Sequence, residues 1–135
     1  RGAAPIQWAV INGENSTGLT TFLLKPMVDA GDILIQRAVT IGPDETAGEL
    51  YERLKIDGAD VVCETVDGFE SGSLTPRPQD DVVSTPAPKL TKESGRIDWS
   101  RSADEIRNLV RGTNPFPGAF TEWGKIGRAS CRERV

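Results

Sequence analysis

The sequence predicts an α/β fold of two units joined by a proline-rich linker, and three observations predict it. Two runs rich in β-branched and apolar residues, Leu19–Leu24 and Ile33–Ile41, have the length and composition of strands. A long helical pattern begins at Thr46, where a Thr-x-x-Glu sequence lets the two end residues satisfy each other's backbone amides. The stretch Thr75–Pro88 holds four prolines and no apolar periodicity, which is typical of an extended linker.

The first unit, residues 1–74, is predicted to begin with a short helix. Pro5 suits a first helical turn, the residues up to Ile11 are mostly apolar, and Asn12-Gly13 suits the end of a helix. The two predicted strands follow. The acidic turn, Val28–Asp32, joins them, so we expect them to be neighbours in one sheet.

The long helix is predicted to cover one face of that sheet. Gly42-Pro43-Asp44 breaks the second strand before the helix, and Gly72 offers a left-handed position that can stop the helix. Between these points apolar residues recur with a period of about 3.6, as on a helix with one buried face. They are Leu50, Leu54, Val61, Val62, Val66 and Phe69.

The linker is assigned to residues 75–92, and the second unit to residues 93–125. Ile97–Trp99 is strand-like, Ser102 and Glu105 form a second capping box before a short helix, and Ala119–Trp123 resembles an opening strand. About 30 residues are too few to bury a core of their own. We therefore expect this second unit to be incomplete.

Composition excludes several classes of protein. The 135 residues are 37% hydrophobic and 27% charged, and they contain no apolar run of the roughly 18 residues that a membrane span requires. No targeting leader is visible in Arg1–Pro5, and because the sequence does not begin with methionine we expect the true start to lie upstream. There is no histidine, and Cys63 and Cys131 lack metal-ligand spacing, so neither a zinc cluster, nor a histidine-based triad, nor a disulfide framework is expected within these residues.

The charge changes sign along the chain. Residues 1–88 hold 6 basic and 14 acidic groups, a net charge of −8, whereas residues 89–125 hold 7 and 5, a net charge of +2. This change supports a domain boundary near residue 89. The last ten residues, 126–135, differ in composition from the rest, and one set of codons for them resembles a common sequencing-library adapter. We interpret them as an artefact that includes Cys131.

The acidic turn is the candidate catalytic feature. Asp29 and Asp32 flank Gly31 between two predicted strands, and open α/β sheets bind ligands at strand ends. A carboxylate there can act as a general base or orient one. The alternative is an ordinary turn with solvated acids, since Asp and Gly are common turn residues.

Six strings in order give the chain a family resemblance. They are residues 1–7, the acidic turn, and the strings Arg77–Asp81, Ala87–Glu93, Arg96–Ser100 and Asn114–Phe120. Together they resemble the bacterial methionyl-tRNA formyltransferases over residues 1 to about 125. The resemblance implies the C-terminal half of a Rossmann-like formyltransferase domain, a linker, and the truncated start of an OB-like β-barrel domain.

The resemblance also implies an activity. Such enzymes move a formyl group from 10-formyltetrahydrofolate to the amino group of methionyl initiator tRNA. Asp29 takes the place of the family's catalytic aspartate, beside an asparagine and a histidine expected upstream of Arg1, so the chain alone is expected to be inactive. Lys25, Pro26, Met27 and Val28 correspond to backbone that borders the folate, or else to a loop packed beside the site. Asp32 is expected to be structural, capping backbone amides.

Basic residues near the boundary are the candidate tRNA contacts. By resemblance Lys89, Lys92 and Arg96 face tRNA phosphates; without it they are an ordinary solvated surface. The rival functions are a formyltransferase acting on an amino sugar nucleotide, a formyl-folate hydrolase, and a non-catalytic RNA-binding module. The charge of −8 over residues 1–88 argues against the last. The family implies a cytoplasmic monomer with no metal and no membrane contact.

Overall fold

The first unit is built around one helix and a hairpin. The computed structural model describes residues 1–27, 31–80, 82, 84–122, 124 and 128–131. Helix α1 covers Pro5–Ile11 and is capped at its C-terminus by Asn12, as predicted. Strands β1 (Ser16–Phe22) and β2 (Ile33–Thr40) form an antiparallel pair.

The strands are where the sequence predicts them, with shifted ends. Strand β1 starts three residues earlier than predicted because Ser16 pairs with Thr40, and it ends at Phe22, which pairs with Ile33. The register shifts between Thr21 and Phe22. Such a bulge bends one strand and redirects the chain that follows it.

Helix α2 covers Ala47–Glu70. Both halves of the predicted capping box are present: the Thr46 hydroxyl accepts from the Glu49 N–H, and the Glu49 carboxylate accepts from the Thr46 N–H. Gly72 is left-handed just past the helix end, with φ of +67°. The core of the unit lies where the N-terminal half of α2 meets α1 and β2, and its buried members are Val10, Val39, Ile41, Ala47, Leu50 and Leu54.

The prediction of one buried face along the whole of α2 is wrong for its second half. Leu50, Leu54 and Val61 are buried. Val62, Val66 and Phe69 are more than half exposed. The sheet is too narrow to bury these three side chains. The described residues form a sheet of two strands on α2, about 5 Å apart, which cannot cover the adjoining side of the helix.

The second unit contains a short 3-10 helix (Lys92–Gly95), α3 (Ala103–Gly112), and an antiparallel pair, β3 (Ala119–Glu122) with β4 (Arg128–Cys131). Helix α3 has the predicted capping box. The strand predicted at Ile97–Trp99 is reduced to one bridge, Arg96 with Phe120, because Asp98 accepts from the Ser100 N–H and turns the chain towards α3. Trp123 lies outside the described residues.

Strand β4 falls within the ten residues assigned to the artefact. Glu122 pairs with Arg128 and Ala119 with Cys131, so residues 128–131 complete a two-stranded ribbon. The separate origin of residues 126–135 stays a prediction.

Helix α3 attaches the second unit to the first. Arg111 donates from Nη1 to the carbonyl oxygens of Gly42 and Glu45, at 3.2 and 3.0 Å. Arg107 donates to the carbonyl oxygen of Pro43 at 2.6 Å and pairs with Asp44. These contacts hold α3 on the loop that precedes α2.

The described linker residues before Lys92 form no helix, and hydrogen bonds attach them to the first unit. The Ala87 N–H donates to the carbonyl oxygen of Arg1 at 2.8 Å, and the Ala4 N–H donates back to the carbonyl oxygen of Ala87 at 3.2 Å. The Trp8 indole donates to the carbonyl oxygen of Pro88 at 2.8 Å. Among the described residues no helix is both long and apolar enough to cross a bilayer.

Candidate functional site

The candidate site lies at the β1–β2 connection, which we define as residues 23–27 and 31–33. The Leu23 N–H donates to the carbonyl oxygen of Asp32 at 2.9 Å, so the two arms remain close beyond the bulge. At Gly31 a Cβ atom would lie 1.5 Å from the carbonyl oxygen of Leu23. Only glycine therefore lets the two arms approach this closely.

An ion pair also joins the two arms. Lys25 Nζ lies 3.0 Å from Asp32 Oδ1, with the two side chains 46% and 32% exposed. From the sequence, the Asp32 carboxylate is predicted to cap backbone amides. In the structure, the described partner of this carboxylate is the Lys25 ammonium group. Lys25, Gly31 and Asp32 thus hold the two described arms of the connection together.

Two residues that hold the β1–β2 connection in place, Arg77 and Gln79, were not predicted from the sequence. The backbone of Arg77 exchanges hydrogen bonds with Ile33 at 2.7 and 2.9 Å. The Gln79 amide donates from Nε2 to the carbonyl oxygen of Gly31 at 2.5 Å, and its Oε1 accepts from Arg1 Nη2 at 2.8 Å. The signal was the extended conformation that Pro76 and Pro78 impose, which suits a segment lying along a strand edge.

The residues predicted to take part in catalysis or folate binding are only partly described by the structure. Asp29 and Val28 lie outside the described residues. Lys25, Pro26 and Met27 are described and solvent-exposed, and the Met27 side chain is 72% exposed. Within the described part of the chain, the backbone N–H groups of Lys25 and Met27 have no hydrogen-bond partner.

A shallow cavity adjoins this connection. Its volume is about 310 Å³, and its walls include Arg1, Phe22, Ile33 and Gln79. Ligand sites commonly combine an apolar wall with a few fixed polar groups. The Gln79 amide is such a group, because hydrogen bonds fix both its nitrogen and its oxygen.

The three basic residues predicted to face tRNA are exposed. Lys89 and Lys92 have no charged partner among the residues that the structure describes, and Lys92 begins the short 3-10 helix. Arg96 follows that helix and pairs with Glu122, with 3.1 Å between Nη2 and Oε2. All three lie on the segment that leads into the second unit, where their side chains are exposed.

Carboxyl groups with shifted pKa values lie away from the β1–β2 connection. The Arg53 guanidinium, which holds Glu45 through two hydrogen bonds, lowers the pKa of that carboxyl. Hydrogen bonds from Thr46 and Ser102 lower the pKa of Glu49 and of Glu105, respectively. These shifts belong to helix caps and to the loop before α2, where the groups stabilise the fold.

No metal site is found where the structure gives coordinates. Within residues 1–27, 31–80, 82, 84–122, 124 and 128–131, no three His, Cys, Asp or Glu side chains converge on one point.

Family models identify the class of protein. The formyl transferase model matches residues 1–66, and the model of the formyl transferase C-terminal domain matches residues 89–130. The two models follow each other along the chain and together cover most of it. The chain belongs to the formyl transferase family.

Curated proteins similar to this chain carry a more specific name than the family models do. Methionyl-tRNA formyltransferases of Geobacter metallireducens and of Ruminiclostridium cellulolyticum are each 50% identical to it over 121 residues, which is 90% of this chain and 39% of each relative. The chain thus spans about two fifths of the length of these relatives.

Solved structures agree on the fold. HypX from Aquifex aeolicus in complex with tetrahydrofolic acid is 27% identical, with a TM-score of 0.74 over 90% of this chain and 22% of that chain. A likely sugar N-formyltransferase from Mycobacterium tuberculosis is 22% identical, with a TM-score of 0.78 over 100% of this chain and 60% of that chain. The second likeness, at that identity, is one of fold alone.

Proposed function

We propose that this chain forms part of an enzyme that transfers a formyl group from 10-formyltetrahydrofolate to the amino group of methionyl initiator tRNA. The observation that carries the proposal is the 50% identity to curated methionyl-tRNA formyltransferases over 90% of the chain. The solved sugar formyltransferases are only about 20% identical, which favours tRNA over an amino sugar nucleotide. The acidic first unit disfavours a module that only binds RNA.

Asp29 is the residue of this chain that we assign to catalysis. Formyl transfer to an amine needs a neutral amine, a stabilised oxyanion, and a route for the proton that leaves the nitrogen. The Asp29 carboxylate would accept that proton through a water molecule. It would also keep charged the histidine that the family resemblance places upstream, since opposite charges favour the ionised forms of both groups.

The exposed backbone of Lys25–Met27 is proposed to border the folate. The donor supplies an activated formyl carbon. The N–H groups of Lys25 and Met27, which have no partner among the residues that the structure describes, suit a flat heterocycle with several acceptors, whereas Pro26 has no N–H to offer. Val28, the fourth residue of this set, is proposed to contact the folate with them.

The basic segment is proposed to contact tRNA phosphates. Lys89 and Lys92 are exposed and have no ion pair with any residue that the structure describes, and Arg96 could exchange Glu122 for a phosphate. We further propose that β3, with its bridge from Phe120 to Arg96, opens an OB-like barrel. The enzyme is proposed to be a cytoplasmic monomer.

A grafted enzyme tests the function. In the methionyl-tRNA formyltransferase of Geobacter metallireducens, the matched segment is replaced by the corresponding 121 residues of this chain. We expect the grafted enzyme to formylate methionyl initiator tRNA from 10-formyltetrahydrofolate and to leave amino sugar nucleotides unmodified. Asp29→Asn should lower kcat by about 10²- to 10⁴-fold, the usual contribution of a positioned acid or base.

Controls make the result specific. Asp44→Asn, in the loop before α2, is a matched acid-to-amide change outside the proposed site and should leave kcat within about twofold. The 135-residue chain alone should show no formyl transfer above background. Formylation of an amino sugar nucleotide, or full activity of Asp29→Asn, would overturn the proposal.

A further inference from the structure

Gln79 is the linker residue that contacts the acidic turn through its side chain. The residue is half-buried, whereas the linker residues on either side of it, 75–78 and 80, are exposed. Its Nε2 donates to the carbonyl oxygen of Gly31 at 2.5 Å, and its Oε1 accepts from Arg1 Nη2 at 2.8 Å. Because the donor end and the acceptor end of the amide each have a partner, the side chain is held in one orientation.

The place of Gln79 follows from the pairing of the linker with β2. Arg77 exchanges two backbone hydrogen bonds with Ile33 in an isolated antiparallel bridge. In an antiparallel pair, the next residues that face each other in a hydrogen-bonding position lie two residues further along each arm. Here they are Gln79 and Gly31, and the Gln79 side chain donates at that position. The amide therefore extends the contact between the linker and β2 past the end of the strand, as far as the acidic turn.

The hydrogen bond from Gln79 reaches backbone that is closely packed. Gly31 is buried, and a Cβ atom there would lie 1.5 Å from the carbonyl oxygen of Leu23. One residue further on, the carbonyl oxygen of Asp32 accepts from the Leu23 N–H at 2.9 Å. Asp29 precedes Gly31 by two residues, which span at most about 7 Å of chain. The position of the Gly31 peptide therefore limits where the backbone of Asp29 can lie.

We propose that Gln79 is a positioning residue for formyl transfer. Its amide holds the carbonyl group of Gly31, and through this part of the backbone it sets the position of the Asp29 carboxylate. The donor end of the amide carries the effect, because that end contacts the acidic turn. A catalytic group misplaced by about 1 Å lowers the rate of the chemical step by up to about 100-fold. The inference rests on the proposed function, in which Asp29 accepts the proton.

Two substitutions in the grafted enzyme separate the donor from the acceptor. Gln79→Leu removes both hydrogen bonds and adds no charge. Gln79→Glu keeps an acceptor for Arg1 but loses the N–H that binds Gly31. We expect each substitution to lower kcat by about 10- to 100-fold. The KM values for 10-formyltetrahydrofolate and for methionyl initiator tRNA should stay within about threefold of those of the unmodified graft, since substrate binding is not altered.

Asp80→Asn is the control on the same linker. Asp80 is exposed, and among the described residues its carboxylate accepts from the Val82 N–H. The substitution exchanges an acid for an amide beside Gln79 and keeps that acceptor, so kcat should stay within about twofold. A purely structural role of Gln79 predicts a different order of activities. Gln79→Glu, which can form an ion pair with Arg1, would then keep its kcat, and Gln79→Leu would lose it.

Amide hydrogen exchange tests the same contact without an activity assay. In the 135-residue chain, the Leu23 N–H is bonded to Asp32, the residue that follows Gly31. Because Gln79 holds this arm of the connection, Gln79→Leu and Gln79→Glu should each speed exchange at Leu23 at least about tenfold. Asp80→Asn should leave the exchange rate at Leu23 unchanged.

The outcomes distinguish the inference from the proposed function. A Gln79→Glu graft that keeps kcat within about twofold of the unmodified graft would overturn the inference. Unchanged exchange at Leu23 in both Gln79 variants would overturn it as well, and so would a rise in KM with kcat unaltered, which would assign Gln79 to substrate binding. An unmodified graft that transfers no formyl group would count against the proposed function, and the exchange rates would still decide whether Gln79 holds the turn.

Discussion

Position 31 shows how one residue shapes the candidate site. The carbonyl oxygen of Leu23 occupies the space in which a Cβ atom would lie, and the carbonyl oxygen of Gly31 itself accepts from Gln79. Leu23 and Gln79 thus contact the Gly31 backbone, two residues along the sequence from the proposed catalytic residue, Asp29. The close approach of the two arms consequently requires a residue without a side chain at position 31.

Gly31→Ala should be destabilising. The added methyl group must push the two arms of the connection apart, and overpacking of this kind costs about 1–3 kcal/mol. Urea unfolding measures the loss. The control is Gly58→Ala inside α2, where the nearest atom to a new Cβ is Leu19 Cδ2 at 3.8 Å. That change should be neutral or stabilising by up to about 1 kcal/mol, and a Gly31→Ala variant as stable as it would contradict the expectation.

Between elements, the contact of α3 with the loop before α2 depends on buried polar groups. Arg111 donates to two loop carbonyl oxygens and, at 2.7 Å, to Asn108, while its Nε has no partner among the described residues. Burial lowers the pKa of this guanidinium, with Arg107 adding to the effect. The attachment therefore carries a desolvation cost that its hydrogen bonds must offset.

Arg111→Ala should detach α3 from the loop. Removing it leaves the carbonyl oxygens of Gly42 and Glu45 without their described side-chain donor, so we expect a loss of about 2–4 kcal/mol in the free energy of unfolding. Arg101→Ala is the matched control. Among the described residues the ion pairs of Arg101, with Asp98 and Glu105, are exposed, and its loss should cost less than about 1 kcal/mol. Equal effects in urea unfolding would refute the difference.

The basic segment predicts a salt effect. Replacing Lys89, Lys92 and Arg96 with alanine in the grafted enzyme should weaken initiator tRNA binding. The slope of log Kobs against log[salt] should become shallower by about 2 to 3, as expected when up to three phosphate contacts are lost. Lys55→Ala, which removes a paired lysine on α2, should leave the slope unchanged. An unchanged slope in the triple variant would remove these residues from the interface.

Local signals were readable from the sequence, and long-range ones were not. Capping boxes at Thr46 and Ser102 placed the starts of α2 and α3 correctly because their hydrogen bonds span three residues. The ends of β1, in contrast, depend on its pairing with β2. The hydrogen bond from Gln79 to Gly31 joins residues that are 48 positions apart. Periodicity alone does not reveal how wide a sheet is, so the exposure of Val66 was missed.

For the whole molecule, acid should be destabilising. In the folded state the pKa values of Glu45, Glu49 and Glu105 are lowered from their ordinary value of 4.5. The unfolded chain therefore binds more protons than the folded chain as the pH falls through that value, so the free energy of unfolding decreases there and is fully regained above it.

Urea unfolding between pH 7 and pH 3.5 measures this dependence. Glu45→Gln should flatten part of it, because Glu45 then no longer titrates against Arg53. Glu14→Gln is the control: no described charged partner holds Glu14, and the change should preserve the slope. A free energy of unfolding that stays constant across the range would contradict the prediction.

The pinned linker has a consequence for how the two units are kept together. The Ala87 backbone is hydrogen-bonded to Arg1 and Ala4, the Trp8 indole donates to the carbonyl oxygen of Pro88, and Arg111 on α3 donates to the loop before α2. Cleavage of the backbone between residues 80 and 86 would therefore yield a nicked protein whose two pieces migrate as one in gel filtration. The covalent connection there acts as a guide for assembly, and noncovalent contacts preserve the arrangement after it is severed.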